Sequence, residues 1–293
     1  MELIYLLNTN TTWLLITVGL FSLLVGSFLN VVIYRLPIML EKQWKRDCQE
    51  CLGHSTDDIN ATGTFNLVVP RSQCPVCGHE ITALENIPII SYLVLGGKCR
   101  DCRTPISMQY PTIELITAVL SIWVAWQVGF SPVLLFLLGF TWTLICLFMI
   151  DAKTMLLPDI LTYPLLWAGL IVNMQSFGLT DLHSAVLGAM LGYLSLWSVF
   201  QLFLLLTGKE GMGYGDFKLL AALGAWGGWQ VLPFIIFSSA LFGAVFGIAL
   251  ILFKKHEKAN PMPFGPWLAM AGFIAIVERP FILQAMDKLF VPY

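Results

Sequence analysis

Six long stretches of the sequence contain no Asp, Glu, Lys or Arg, and they constrain the fold more than any other feature. They cover residues 3–34, 115–150, 160–180, 182–208, 219–253 and 259–277. An α-helix needs about 20 apolar residues to cross the hydrocarbon core of a bilayer. Two stretches are long enough for a helical hairpin, and turn residues interrupt them at 129–132 and 226–230. The sequence therefore predicts about eight transmembrane helices.

The charged residues are concentrated in one insert. Only 12% of the 293 residues are charged, compared with about 25% in soluble domains. Residues 35–103 nevertheless hold 16 of the 34 charges. This distribution excludes a secreted soluble enzyme and a disordered chain, and a net charge of −2 excludes a basic nucleic-acid-binding protein. We expect an all-α polytopic membrane protein with a first anchor at 1–34, a small cytoplasmic domain at 35–112 and a helical bundle at 113–293.

The basic residues predict the orientation of the chain. With the amino terminus outside, 14 of the 16 Lys and Arg residues fall in cytoplasmic segments. No Lys or Arg precedes residue 35, and the first apolar run is longer than the core of a signal peptide. We therefore expect a first span that persists, both termini outside and the charged insert in the cytoplasm.

Four cysteines of the insert have the spacing of a metal site. They form two Cys-x2-Cys pairs, Cys74 with Cys77 and Cys99 with Cys102. Two such pairs supply four thiolates for a tetrahedral zinc site. A reducing cytosol argues against disulfides, and the alternative is two pairs of reduced redox or packing thiols. A closed four-sulfur site leaves no position for water, so zinc would stabilise a small domain rather than carry the chemistry.

Other residues could compete for this metal. Cys48 and Cys51 form a third Cys-x2-Cys pair, and His54 and His79 are alternative ligands of nearby spacing. Because zinc takes four ligands, one pair of cysteines must be spare or compete. Cys146 lies within an uncharged span and is expected to be a buried apolar residue.

Two aspartates stand at the predicted cytoplasmic ends of apolar helices. Asp151 ends one uncharged stretch, and Asp216 follows a glycine-rich loop and opens the next helix. Carboxyl groups at membrane depth are costly and indicate function. Two that meet at an apolar boundary do not both ionise, which suits general acid–base hydrolysis. The alternatives are a solvated helix end for Asp151 and a first-turn carboxylate for Asp216.

Two further acids lie near predicted span ends. Asp159 follows Pro158 at the start of a span and is expected to be a first-turn acid rather than a catalyst. Glu114 lies just inside the second predicted span, and the sequence names no partner for it.

Several motifs, in order along the chain, resemble those of bacterial type IV prepilin peptidases. Residues 213–220 (GYGDFKLL) resemble the second catalytic motif of that family, and residues 150–159 (IDAKTMLLPD) resemble the first. Further similarity lies at 26–37 (GSFLNVVIYRLP), 70–77 (PRSQCPVC), 86–93 (NIPIISYL) and 97–102 (GKCRDC). It runs from about residue 13 to residue 280, whereas Cys48 and Cys51 match no family motif.

The resemblance implies a bifunctional enzyme of the bacterial inner membrane. Such enzymes are aspartyl endopeptidases that remove the leader of type IV prepilins and type II secretion pseudopilins after a glycine, at the cytoplasmic face. They then transfer a methyl group from S-adenosylmethionine to the new amino-terminal residue, usually phenylalanine. The family's catalytic pair maps onto Asp151 and Asp216, and its cysteine tetrad onto Cys74, Cys77, Cys99 and Cys102. Both termini would be periplasmic.

Only the resemblance to this family supports a methyl-transfer site. No glycine-rich strand-to-helix fingerprint is visible, and the insert is too small for a full α/β nucleotide-binding fold. Gly97, beside Lys98 and the second cysteine pair, is the candidate for the neighbourhood of the cofactor. Three alternatives stay open: a leader peptidase without methyltransferase activity, a transporter whose aspartates form an ion path, and a zinc-ribbon membrane adaptor.

Overall fold

The computed structural model describes residues 2–53, 65–252 and 262–290, and these ranges are mainly helical, apart from the largely irregular part of the insert between 65 and 108. No β-strand occurs within them, only two isolated β-bridges, Gln73–Glu80 and Lys98–Pro105. The helices are α1 (Glu2–Thr9), α2 (Thr11–Cys51), α3 (Ile90–Val94), α4 (Gln109–Val128), α5 (Pro132–Thr154), α6 (Asp159–Asn173), α7 (Leu182–Thr207), α8 (Tyr214–Gly227), α9 (Leu232–Leu252), α10 (Gly265–Val277) and α11 (Arg279–Phe290). The predicted all-α class is confirmed.

Five helices are long and apolar enough to cross a membrane, judged by length and composition. They lie within Thr11–Cys51, Gln109–Val128, Pro132–Thr154, Leu182–Thr207 and Trp229–Leu250. The pair α10 and α11, bent by 91°, would make a sixth span. The polytopic architecture is confirmed, but fewer described helices reach span length than the eight expected. The reason is that α6 and α8 have only 15 and 14 residues, which is about 21–23 Å against about 30 Å of hydrocarbon.

The chain divides into two compact units, residues 1–126 and 127–293. In the first unit, α2 and α4 pack closely because small and polar residues line their contact. A Cβ on Gly26 would lie 2.8 Å from the Glu114 Cα. One turn along, Asn30 Nδ2 donates to the Tyr110 carbonyl over 3.1 Å. The two helices therefore run antiparallel, with Gly26 level with Glu114.

The helix α2 continues well beyond its apolar part. The first charged residue, Arg35, is buried and donates to the carbonyls of Asn66 (2.9 Å) and Pro70 (2.6 Å). These bonds tie the loop that leads to the first cysteine pair onto the side of the helix. This loop of the insert therefore packs against the part of α2 that continues to Cys51.

In the second unit, α8 is the central helix and packs against α6, α7 and α10. Glycines bring α7 and α8 to backbone contact, since a Cβ on Gly188 would lie 2.3 Å from the Gly224 carbonyl oxygen. A Cβ on Gly192 would likewise lie 2.7 Å from the Leu220 carbonyl oxygen. The small-residue spacing at 188 and 192 therefore marks a close helix contact, as membrane helices prefer.

The carboxyl end of α8 is closed by side chains from other helices. Asn173 Nδ2 donates to the carbonyls of Ala225 (2.8 Å) and Trp226 (3.0 Å). Arg279 Nε donates to the carbonyl of Gly227 over 2.9 Å. Asn173 Oδ1 also accepts two backbone N–H groups from the loop after α6. Because the last carbonyls of a helix have no partner within it, these bonds fix the depth at which α8 ends.

Candidate active site and metal centre

The two candidate catalytic aspartates lie together in the second unit. Asp151 is in the last turn of α5 and Asp216 in the first turn of α8, and both are buried. Their carboxyl groups are close enough to interact electrostatically. The opposite ends of two helices thus bring together residues that are 65 positions apart.

Local backbone geometry places each aspartate at its helix end. The helix α5 stops because Met155 adopts a left-handed conformation (φ 55°), and its N–H bonds to the Asp151 carbonyl over 2.9 Å. Pro158 then caps α6, because a proline needs no partner for its nitrogen at a helix start. Gly213 caps α8, and its carbonyl accepts the Asp216 N–H over 3.2 Å. Asp216 is therefore held in a helical first turn.

Two glycines and one leucine enclose this pair. A Cβ on Gly215 would lie 2.7 Å from the Leu157 Cβ, and a Cβ on Gly265 would lie 3.1 Å from the Leu157 Cδ1. Leu157 therefore fits between the backbone before Asp216 and the start of α10. The Gly265 N–H faces the Asp151 carboxyl. Asp151 Oδ2 has no hydrogen-bond partner among the described residues, which in a buried group requires an explanation such as a catalytic role.

Asp159 has a structural partner of its own. It lies in the first turn of α6, as predicted, and accepts two hydrogen bonds from Lys218 Nζ, at 2.7 and 2.8 Å. The same ammonium lies 5.1 Å from the centroid of the Tyr163 ring. This half-exposed ion pair links the amino-terminal ends of α6 and α8 beside the buried carboxyls.

The four cysteines of the insert converge on one point. The Sγ atoms of Cys74, Cys77, Cys99 and Cys102 all lie within 4.8 Å of one another. Cys74 and Cys102 are 3.7 Å apart at sulfur, and Cys77 and Cys99 are 3.9 Å apart. A tetrahedral zinc ion with Zn–S bonds of about 2.3 Å separates its sulfurs by about 3.8 Å. The side chains therefore fit a metal ion of this type.

Both cysteine pairs sit in the same kind of turn. The N–H of Gly78 bonds to the Cys74 carbonyl over 3.0 Å, and the N–H of Arg103 bonds to the Cys99 carbonyl over 3.1 Å. The residue after the second cysteine has a positive φ in each turn, 74° at Gly78 and 59° at Arg103. Two equivalent turns therefore present two sulfurs each, as the spacing predicted.

Polar side chains link the two turns around the sulfurs. His79 bonds through Nδ1 to Asp101 (2.9 Å) and through Nε2 to Glu85 (3.2 Å). The backbone N–H and hydroxyl of Thr82 lower the pKa of Glu85 to about 2. The hydroxyl of Thr104 lowers the pKa of Cys102 to about 6, whereas burial and the neighbouring Cys102 side chain raise the pKa of Cys77 to about 12. Such outer partners orient metal ligands.

The competing ligands are not part of this cluster. Cys48 and Cys51 are exposed in the last turn of α2, and the four-sulfur group contains neither of them. His79 lies outside the group too, and His54 lies outside the described residues. Cys146 is buried within α5, as predicted.

Gly97 is in a position that only glycine suits. Its φ is +67°, and a Cβ there would lie 2.8 Å from the Tyr92 Oη. Its N–H bonds to the Tyr92 carbonyl (2.9 Å) and its carbonyl accepts the Ile106 N–H (2.7 Å). Packing of the second cysteine turn against the Tyr92 ring therefore requires this glycine, whether or not a cofactor lies nearby.

Sequence reasoning missed three residues that shape the site. Gly265 lies against the Asp151 carboxyl, Leu157 lies between Gly215 and Gly265, and Asn173 holds the far end of α8. A polar Asn in an otherwise apolar span was the available signal for Asn173, and the Pro-Met-Pro-Phe-Gly-Pro segment at 261–266 was the signal for Gly265.

Comparison with known proteins covers nearly the whole chain. The family described as "Bacterial Peptidase A24 N-terminal domain" matches residues 20–128, and the "Type IV leader peptidase family" matches residues 138–248. The prepilin leader peptidase/N-methyltransferase of Pseudomonas aeruginosa is 54% identical over 274 residues, 93% of each chain. The proteins of the same name from Aeromonas hydrophila and Dichelobacter nodosus are 53% and 51% identical, over 94% and 89% of this chain and 95% and 90% of their own. No solved structure matches the chain. The chain belongs to the type IV leader peptidase family.

Proposed function

We propose that this chain is a prepilin leader peptidase and N-methyltransferase whose proteolytic residues are Asp151 and Asp216. The observation that carries the proposal is the meeting of two buried carboxyls, one from the end of α5 and one from the start of α8. The relatives of that name, more than 50% identical over most of both chains, support the same function. The enzyme is an aspartic endopeptidase as well as a methyltransferase.

The paired carboxyls are suited to hydrolysis of a peptide bond. One carboxylate takes a proton from the attacking water, while the other, protonated, donates a hydrogen bond to the scissile carbonyl. The Gly265 N–H beside Asp151 orients that carboxyl. The backbone at Gly213, where an added Cβ would meet only Asp216 Oδ2 at 3.9 Å, carries no side chain that would obstruct an extended substrate strand.

The proposed substrates are type IV prepilins and type II secretion pseudopilins. Their basic leader would remain in the cytoplasm while the apolar segment that follows enters the bilayer, which sets the depth of cleavage. The distribution of Lys and Arg supports an inner-membrane topology with the carboxyl pair at the cytoplasmic face and both termini in the periplasm. In this topology residues 1–34 are the anchor, 35–112 the cytoplasmic domain and 113–293 the protease bundle.

Methyl transfer to the new amino terminus is assigned to the cytoplasmic domain. S-adenosylmethionine supplies the methyl group, and we place its neighbourhood near Gly97. Zinc held by Cys74, Cys77, Cys99 and Cys102 would fix the two turns of this domain and leave no open coordination position. The metal therefore has a structural role in the proposal.

The experiment is cleavage of a purified prepilin by the enzyme in proteoliposomes. Asp151→Asn and Asp216→Asn should each abolish leader release while the protein still folds. Asp159→Asn is the matched control, because it removes an exposed carboxylate at the same end of the bundle and costs only the modest energy of a surface ion pair. Normal cleavage by either of the first two variants would contradict the paired mechanism.

Mass spectrometry of the mature pilin from the same reactions tests the second activity. With S-adenosylmethionine present, the amino-terminal residue should carry one added methyl group. A mature product lacking that group, with complete cleavage, would remove the methyltransferase assignment and keep the protease.

A further inference from the structure

The segment between the two cysteine pairs exposes apolar side chains in an otherwise charged insert. It comprises residues 86–95, which include the short helix α3. Ile90, Leu93 and Val94 are 59%, 71% and 80% exposed. An exposed apolar cluster of this kind marks a surface that something else covers.

Two hydrogen bonds anchor this segment to the membrane helices of the first unit. The backbone N–H of Ile89 donates to the Glu114 carboxylate over 2.8 Å, and Ser27 Oγ donates to Asn86 Oδ1 over 3.4 Å. Glu114 lies five residues inside α4, and Ser27 lies within the apolar part of α2. The segment must therefore reach down beside these helices rather than remain in the aqueous domain.

The aromatic residues of α2 give the depth of these anchors. Trp13 and Tyr34 are exposed and stand 21 positions apart, which is about 31 Å along a helix. That distance matches the hydrocarbon thickness of about 30 Å, and such residues favour the two membrane interfaces. Ser27 precedes Tyr34 by seven residues along α2, which places it about 10 Å deeper in the bilayer than Tyr34. The anchors therefore lie below the interface, at a depth typical of interfacial helices.

Several backbone N–H groups of the segment have acceptors within the protein, as an environment without water requires. Within it, Ser91, Leu93 and Leu95 donate their N–H groups to carbonyls four residues back, at 2.9–3.1 Å. Ile89 has a φ of 60°, which is unfavourable for a β-branched residue, and its N–H has Glu114 as acceptor. Lipid requires that polar backbone groups be paired within the protein. This requirement also gives Glu114, a buried acid that the proteolytic mechanism does not use, a defined role.

We propose that residues 86–95 are inserted into the membrane interface, with Ile90, Leu93 and Val94 among the lipid acyl chains. The occupant of this surface is the bilayer, because the anchors lie within membrane helices and Leu24 of α2, between the same aromatic residues, is also exposed. The insert is then attached to the membrane by a third element besides α2 and α4. Because Gly97 and Cys99 follow the segment directly, the metal turns are held at the membrane surface.

The test is a depth measurement with a genetically encoded fluorescent amino acid, since labelling through cysteine would disturb the metal site. The fluorophore is placed at position 93 in the full-length protein, reconstituted in vesicles of phosphatidylethanolamine and phosphatidylglycerol. Position 24 is the lipid-side control. Position 68 is the water-side control, because Val68 is 78% exposed in the loop that Arg35 binds.

The proposal predicts that fluorescence at position 93 is quenched by brominated lipid to the same extent as at position 24 and is protected from aqueous iodide. Quenching by iodide as strong as at position 68 would overturn it. Protection from both quenchers would also overturn it, because a protein surface would then cover the segment. A Leu93→Asp variant should move position 94, labelled in the same way, toward the iodide-accessible state, whereas Val68→Asp should not.

Discussion

Replacement of Gly265 by alanine tests whether the position of the Asp151 carboxyl controls proteolysis. The alanine Cβ would lie 2.6 Å from Asp151 Oδ2, whereas ordinary contacts begin at 3.4 Å. The carboxyl, or the start of α10, must therefore shift by about 0.8 Å. A displacement of about 1 Å in a catalytic group lowers the rate by about 100-fold, which corresponds to about 2.7 kcal/mol of activation free energy. We expect a loss of this size in the cleavage step.

The assay is single-turnover cleavage of a purified prepilin in proteoliposomes, with rates normalised to the folded fraction from size-exclusion chromatography. Gly139→Ala is the matched control, because Gly139 lies on the same helix as Asp151 and no atom outside its own stretch of helix lies within 4 Å of its added Cβ. The control should cleave at the wild-type rate. If folded Gly265→Ala also cleaves at the wild-type rate, the position of Asp151 does not limit the reaction and the geometric argument is refuted.

Two further predictions concern the end of α8 and the metal site. Asn173→Leu leaves the last carbonyls of α8 unpaired, and because each buried unpaired group costs about 1–3 kcal/mol, thermal unfolding should occur at a markedly lower temperature. Asn173→Asp, which keeps the bonds that Asn173 Oδ1 accepts, should unfold between that variant and the wild type, and an unchanged transition in Asn173→Leu would show that the cap is dispensable. For the metal, the Cys48→Ser/Cys51→Ser double variant should retain wild-type zinc content by elemental mass spectrometry, whereas Cys74→Ser should lose it; the reverse pattern would move the site to the exposed pair.

Local features of the sequence predicted most of the candidate site. The turns at 129–132 and 226–230 occur where glycine and proline placed them, and Asp216 stands in the first turn of a helix. The spacing of the cysteines also predicted the cluster of four sulfurs. These features depend on residues that are near one another in the chain, so a single sequence carries the information.

Features that depend on distant contacts could not be predicted in this way. A charge-free stretch shows that a segment avoids water but not whether lipid or protein surrounds it. For that reason the sequence predicts α6 and α8 as spans, although both helices are too short to cross a bilayer alone. The contact of Gly265 with Asp151 joins residues more than 100 positions apart, and no local pattern specifies such a partner.

Because other parts of the protein surround α8, a change in bilayer thickness does not act directly on the helix that carries Asp216. Every residue from Asp216 to Gly228 except Lys218 is buried in protein, and the carbonyls at the end of the helix are held by Asn173 and Arg279. A thicker or thinner bilayer exerts its mismatch force on helices that face lipid, which respond by tilting. Since α8 has almost no such face, a change in bilayer thickness acts on it only through the helices that surround it. If Asp151 and Asp216 cut the prepilin as proposed, the depth of the cut is set by the helices around α8 rather than by the thickness of the bilayer.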